Sequence, residues 1–174
     1  MDVIECIKTR KSTKQFSDKP LSDADIQIIV DAARHAPSGM NKQSWHFVVV
    51  SNKPWLEKMN KKLADYLHRG ENYMCYYGAP VLVIVSANPE FPTSEADCAC
   101  AIENMYLAAN SLGIGACWIN QLGKSNCEHI RAELTEAGVP EKDMVYGCCA
   151  LGYPPEGYHR ETVKRVDGTI KYFK

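Results

Sequence analysis

Four short apolar runs rich in β-branched residues alternate with segments of helical periodicity, a pattern that predicts a domain of the α+β or α/β class. A length of 174 residues suits one domain with a sizeable core. No internal repeat, low-complexity tract or linker divides the chain, so residues 1–174 read as a single domain. A hydrophobic fraction of 45% and a charged fraction of 24% are those of an ordinary globular protein.

Each element has a local reason. Residues 2–9 predict a short first helix capped by Asp2. Ser22 caps a second helix over 22–35, with Ile26, Ile29, Val30 and Ala33 on one face. Pro37 ends it, because the residue before a proline is pushed out of the α region. His46 to Val50 reads as a buried strand, and residues 54–68 as a helix with Pro54 in its first turn. Pro80 to Ser86 is a second buried strand. The most apolar helix spans roughly 95–112, with Gly113 as its C-cap. Ala116 to Asn120 is the third strand. Ser125 and Glu128 match a capping box that opens a helix to Gly138, and Met144 to Leu151 is the fourth strand. The helix at 95–112 carries only Glu95, Asp97 and Glu103 as charges, so it needs cover nearly all round. One small sheet covers one side, which predicts a second subunit over another. The tail at 152–174, rich in Pro, Gly and charge, is expected to pack on that partner.

Bulk properties exclude several functions. A net charge of −1 gives no general case for nucleic acid or an anionic membrane. Met1-Asp2-Val3-Ile4-Glu5 lacks the basic start and apolar stretch of a signal peptide. The longest apolar run, Ala79 to Val85, falls far short of the about 20 residues that span a bilayer. A soluble, cytoplasmic protein is the expectation. None of the eight cysteines forms a Cys-x-x-Cys pair, and they read as small buried hydrophobes. Cys98 and Cys100 on a helix, and Cys148 and Cys149 on a strand, point to opposite faces within each pair.

Two stretches carry the candidate chemistry. Arg10-Lys11-Ser12-Thr13-Lys14 crowds three cations and two hydroxyls into five residues at a helix end. Arg is the best planar ligand for a phosphomonoester, and Arg10 and Ser12 can turn toward one oxyanion. Lys14, on the same side as Ser12 in an extended stretch, can sit beside the pyrimidine end of a flavin, where negative charge gathers on reduction. A plain basic helix end, favourable to the helix dipole, accounts for these residues equally well. In Pro37-Ser38-Gly39-Met40-Asn41-Lys42-Gln43, small residues let backbone approach a flat ring, while Asn41 and Gln43 match its alternating carbonyl and N–H edge. A simple helix-terminating loop also explains that stretch. Together the two suggest a site for flavin mononucleotide (FMN).

Weaker candidates add little. Gly113-Ile114-Gly115 imitates a dinucleotide fingerprint, but Trp118 stands where a third glycine belongs and a helix, not a strand, precedes it. Lys164 and Arg165 could reach a phosphate or form a solvated surface pair. His46, His68 and His129 lie beside no Cys or acid at ligand spacing, so no metal site is expected.

Arg10 to Phe16 and Ala36 to Phe47 resemble the two N-terminal signatures of the FMN-dependent nitroreductase family. Gly78 to Val85 is similar to its central strand. Glu103-Asn104-Met105, Leu107-Ala108-Ala109, Leu112 to Gly115 and Trp118 are similar to its long helix and the turn after it, and Gly152-Tyr153-Pro154 to the end of its last core strand. The motifs occur in order over nearly the whole chain.

The resemblance implies an α+β sandwich with a central, mainly antiparallel sheet flanked by helices. It also implies an obligate homodimer with exchanged C-terminal tails and two FMN sites at the interface. Arg10, Lys11, Ser12 and Lys14 fall on the first flavin-binding segment, and Pro37, Ser38 and Gly39 on the loop supplied by the other subunit, with Asn41 close by. Lys164 and Arg165 match basic residues that help hold the phosphate. The implied reaction is ping-pong, from NADH or NADPH through FMN to a nitroaromatic or quinone acceptor, with Lys14 in support and no essential side-chain acid or base. Ser44 stands where the family often has proline, a change expected to loosen that loop. The chain has little between 120 and 125, where larger members carry segments over the active site, so the acceptor is left open. Rival functions are another reaction on the same fold, such as reductive dehalogenation or flavin fragmentation, and a non-catalytic flavin or thiol redox sensor.

Overall fold

Apolar strands of alternating orientation place two sets of side chains on the two faces of one sheet, and helices cover both. The protein is described by a computed structural model covering residues 1–70, 72–123, 128–158, 166 and 168–173. Its helices are α1 (Val3–Thr9), α2 (Asp23–Arg34), α3 (Lys53–Tyr66), α4 (Ser94–Ser111) and α5 (Arg131–Glu136); its strands are β1 (Trp45–Val50), β2 (Val81–Ala87), β3 (Gly115–Ile119) and β4 (Met144–Gly152). The sheet order is β1-β2-β4-β3, with every neighbouring pair antiparallel. This is the expected mixed sandwich.

Alternation along β2 shows how the layers arise. Leu82 and Ile84 face a core built with Leu56, Met59 and Leu63 of α3 and Leu134 of α5. Val81, Val83 and Val85 face a second core with Ile29 and Ala33 of α2 and Ile102 and Met105 of α4. Full burial of each large aliphatic side chain is worth about 1.5–3 kcal/mol. Cys148 and Cys149 divide between the two cores, as period two demands. A register shift at Val85/Ser86 sets one extra β4 residue, Tyr146, between the pairs Val85–Gly147 and Ser86–Val145, a β-bulge.

Caps follow the sequence closely at the first three helices. Asp2 accepts the Ile4 and Glu5 amides, Ser22 the Asp25 amide and Asn52 the Trp55 amide. Gly113 closes α4 with φ of 70°, a left-handed turn that suits glycine.

Three expectations need correction. β1 is an edge strand with His46 and Val49 exposed, not a buried one, because only β2 pairs with it. The helix expected at 125–138 is confined to Arg131–Glu136, with Glu128 in a turn; Ser125 lies outside the described residues. Its N-cap is Ile130, which makes no side-chain capping bond. Burial of Ile130 and Leu134, plus a 2.8 Å bond from Arg131 to the Asp143 carbonyl, sets the start of this helix. A cap worth about 1 kcal/mol does not compete with that burial. Finally, α4 is covered by its own chain on more than the sheet side. Asn104 donates to the Ala32 carbonyl of α2 at 3.0 Å, and Asn110 to the Cys6 carbonyl of α1 at 3.1 Å. The exposed positions of α4 are Glu95, Ala96, Cys100, Glu103 and Ser111.

Candidate functional site

The basic cluster is positioned by the docking of α1 on α4. The Cys6 thiol donates to the Leu107 carbonyl at 3.2 Å, and Asn110 donates to Cys6 O and Thr9 Oγ1 at 3.1 Å each. Arg10, the C-cap of α1, is thereby laid along α4. Its Nε lies 3.5 Å from Glu103 Oε1, and its guanidinium carbon sits 4.9 Å from the Tyr106 ring centroid. Its two η nitrogens have no partner among the described residues.

Residues 11–14 then run along the free edge of β3. Ser12 forms a parallel bridge with Ala116, and the Thr13 amide donates to the Ala116 carbonyl at 2.7 Å. Gly115 permits this approach, since a Cβ there would stand 2.7 Å from Thr13 Oγ1. The glycines at 113 and 115 thus serve a helix stop and a close strand contact, not a dinucleotide. Thr13 is buried, Lys14 exposed and Ser12 half-buried. Ser12 Oγ lies 3.3 Å from Tyr106 Oη, which also accepts the Trp118 amide. The Lys14 amide donates to Tyr158 Oη at 3.1 Å, and its ammonium lies 5.6 Å from the Tyr77 ring centroid. Lys11 lines a hollow of about 250 Å³ with Thr13, Tyr106 and Gly115. An arginine with open nitrogens, a serine hydroxyl and lysines on one short segment can bind a dianionic phosphate.

The second cluster lies at the other end of α4. Gly39 to Asn41 form one 3₁₀ turn, and Met40, Asn41 and Gln43 hold φ of 52°, 54° and 48°. Three left-handed non-glycine residues in one loop are costly and persist only where surroundings enforce them. Here the Gly39 amide donates to Asp97 Oδ1 at 3.1 Å, the Gln43 amide to Ser38 Oγ at 3.1 Å, and Gln43 Nε2 to Asn41 Oδ1 at 2.8 Å. Asp97 is buried and also accepts the Thr93 hydroxyl, at 3.0 Å. Gly39 has no room for a side chain, because a Cβ would meet Thr93 Cγ2 at 2.6 Å. Pro37 and Asn41 are exposed, and the buried Ser44 hydroxyl has no hydrogen-bond partner among the described residues.

Within one chain the clusters do not converge. Asp97, holding Gly39, and Glu103, holding Arg10, stand six residues apart, which is about 9 Å along α4 and a different face. Lys164 and Arg165 lie outside the described residues. Sequence reasoning missed Tyr106, Glu103, Asp97, Tyr77 and Tyr158. The one local signal was Glu103 and Tyr106 at i,i+3 spacing on a single helix face. It also set His46 apart from acids, yet His46 Nδ1 lies 2.7 Å from Asp143 Oδ2, a partner 97 residues away.

Burial governs the titrating groups. It pushes the Tyr106 hydroxyl up to about 12, so the ring stays neutral while its oxygen bridges Ser12 and β3. Burial likewise pushes the Cys75 and Cys98 thiols up to about 12, and Cys149 well above the usual thiol range. Such thiols are inert. Among the described cysteines only Cys100 is exposed.

Known proteins resemble this chain in sequence and fold. The profile of the Nitroreductase family matches residues 7–153. The crystal structure of a nitroreductase with bound FMN from Bacteroides fragilis NCTC 9343 is 44% identical and covers 100% of both chains, with a TM-score of 0.94. Another FMN-bound nitroreductase, from Desulfitobacterium hafniense DCB-2, is 28% identical over 100% of both chains, with a TM-score of 0.89. A protein of Archaeoglobus fulgidus, provisionally named as an NADH dehydrogenase/NAD(P)H nitroreductase, is 35% identical over 160 residues, 87% of each chain. With its sheet order, its α4-centred clusters and this full-length similarity, the chain belongs to the nitroreductase family.

Proposed function

We infer that this protein is an FMN-dependent oxidoreductase that takes electrons from NADH or NADPH and passes them to a small oxidised acceptor. The observation that carries it is the Arg10–Ser12–Lys14 set, held on α4 and β3 in a chain that superposes over its full length on an FMN-bound relative. The residues present fit the cofactor. The open η nitrogens of Arg10 and the Ser12 hydroxyl suit its phosphate, and Lys11 adds positive charge beside them. The Lys14 ammonium, over the Tyr77 ring, suits the electron-rich edge of the isoalloxazine. Pro37, Ser38, Gly39 and Asn41 present a thin loop and an amide for the ring, and Lys164 and Arg165 add cations for the phosphate. When bound, the flavin supplies the electron transfer, and the protein supplies binding, orientation and charge.

The site is completed by a second copy of the chain. The separation of the two clusters on α4 supports this, as does the hollow of about 250 Å³ beside Lys11, below the usual range of about 300–1,000 Å³ for a ligand site. Apolar side chains left open on one chain support it too: Val3, Ile4 and Ile7 on α1, with Ile170, Tyr172 and the 99%-exposed Phe173 in the tail. The tails then cross to the partner, and the 1–174 chain acts as one domain per subunit. Donor and acceptor use the same face in turn, a ping-pong scheme suited to nitroaromatics and quinones. No helix among the described residues is long and apolar enough to cross a membrane.

Purified protein should be yellow, run as a dimer and release FMN on heating. Steady-state oxidation of NADH and NADPH with nitrofurazone or menadione should depend on acceptor with parallel double-reciprocal plots. A colourless protein that ignores added FMN, or donor oxidation that no acceptor accelerates, overturns the reading.

A further inference from the structure

Three contacts meet at Tyr106, a residue 3% exposed in the middle of α4. Its hydroxyl accepts the Trp118 amide of β3 and lies 3.3 Å from Ser12 Oγ. The Arg10 guanidinium stacks on its ring, steered by Glu103 one turn earlier on the same helix face. Arg10 and Ser12 are therefore both seated on one side chain, which reaches them from 94 residues away in the case of Ser12.

We propose that Tyr106 is a positioning residue for the cofactor phosphate, orienting the Ser12 hydroxyl through its own and supporting the Arg10 guanidinium on its ring face. The inference rests on the FMN reading above and deepens it.

The chemistry follows from donor counting. A neutral phenol has one proton and can accept from a second group. The Trp118 amide fills one acceptor position of Tyr106 Oη, and in the proposed arrangement the phenol proton is directed at Ser12 Oγ. In that arrangement the Ser12 proton points away from Tyr106. Hydrogen bonds in such a chain polarise one another, so the terminal hydroxyl becomes a better donor. The Tyr106 ring lies under the Arg10 guanidinium, 4.9 Å from centroid to carbon, and Glu103 Oε1 lies 3.5 Å from Nε. A planar fork held in this way loses less freedom on binding phosphate than a loose one. Burial keeps the phenol protonated across the working pH range, so the chain does not reverse.

The test compares FMN with riboflavin, which has the same ring and no phosphate, by flavin fluorescence quenching on the apoprotein. Tyr106→Phe should raise the FMN dissociation constant about tenfold and leave that of riboflavin within about twofold. A merely structural role would weaken both ligands together; that result, or unchanged FMN affinity, overturns the proposal. The Tyr106→Phe/Ser12→Ala double variant should weaken FMN no further than the worse single variant, because the two act through one chain. Full additivity counts against the proposal. Arg10→Lys probes the ring contact without touching the core; wild-type FMN affinity in that variant also overturns it. Arg10→Ala separates the two levels of inference. If it leaves the preference for FMN over riboflavin intact, the phosphate is not at Arg10 and the underlying reading fails. If it abolishes that preference while Tyr106→Phe does not, only the role of Tyr106 falls.

Discussion

The segment at 10–14 lies extended along β3 and hangs its side chains on α4, whereas the loop at 37–43 turns through three left-handed residues and is pinned by its backbone to the start of α4. In the first region the backbone is ordinary, and long-range side-chain contacts decide where Arg10 and Ser12 point. In the second the side chains are small or exposed, and the backbone path is what the surroundings enforce. Substitutions should therefore act on ligand binding in the first region and on folding in the second.

Arg10→Ala is the strongest way to break that contrast. It should weaken FMN retention by roughly 1.5–3 kcal/mol, the scale of a hydrogen bond to a charged group, with little change in thermal midpoint. A large fall in stability with unaltered FMN affinity would reverse the assignment. Gly39→Ala should do the opposite. Its Cβ collides with Thr93, so a loss of about 1–3 kcal/mol in denaturant unfolding is expected. If stability is unchanged, the loop is not backbone-limited.

A region remote from both clusters sharpens the comparison. Glu133 of α5 is buried, and burial alone would raise its pKa. Hydrogen bonds from Lys62 at 2.8 and 3.0 Å, its own backbone contacts and the charges of Lys62 and Lys58 outweigh burial and lower it. A carboxylate depressed in the folded state stabilises above its unfolded value, near 4.3, and that stability is lost as pH falls through the lower folded value. Lys62→Ala should flatten the acid side of the stability–pH curve and cost up to about 1 kcal/mol at neutral pH, without altering flavin binding. An unchanged acid limb would show that Lys62 does not set the Glu133 titration. The smallest effect is expected from Cys100→Ser. Turnover should be unaltered and stability within about 0.5 kcal/mol, since the side chain is exposed. A loss of activity would revive a thiol-based function.

Much of this was legible in the chain itself. Asp2 and Ser22 marked the starts of α1 and α2, apolar periodicity the buried face of α2, Pro54 the start of α3, and apolar composition with Gly113 the extent and end of α4. Where local signals met burial they lost: a capping box did not open α5, because Ile130 and Leu134 are drawn into the core and Arg131 is tied to Asp143. The partnership of His46 with Asp143 had no local trace at all.

The order of residues by itself determined the elements, the family motifs and the kinds of donor available for an anion and a ring, because propensity, capping and periodicity act over one or two turns. Only the tertiary structure decided that Tyr106 underlies both Arg10 and Ser12, that Asp97 holds the Gly39 loop, and that the two clusters sit at different levels of α4. Those contacts join residues 58 to 96 positions apart. Such distances are closed by burial of the α4 face against sheet and helices, a collective effect with no short-range signature.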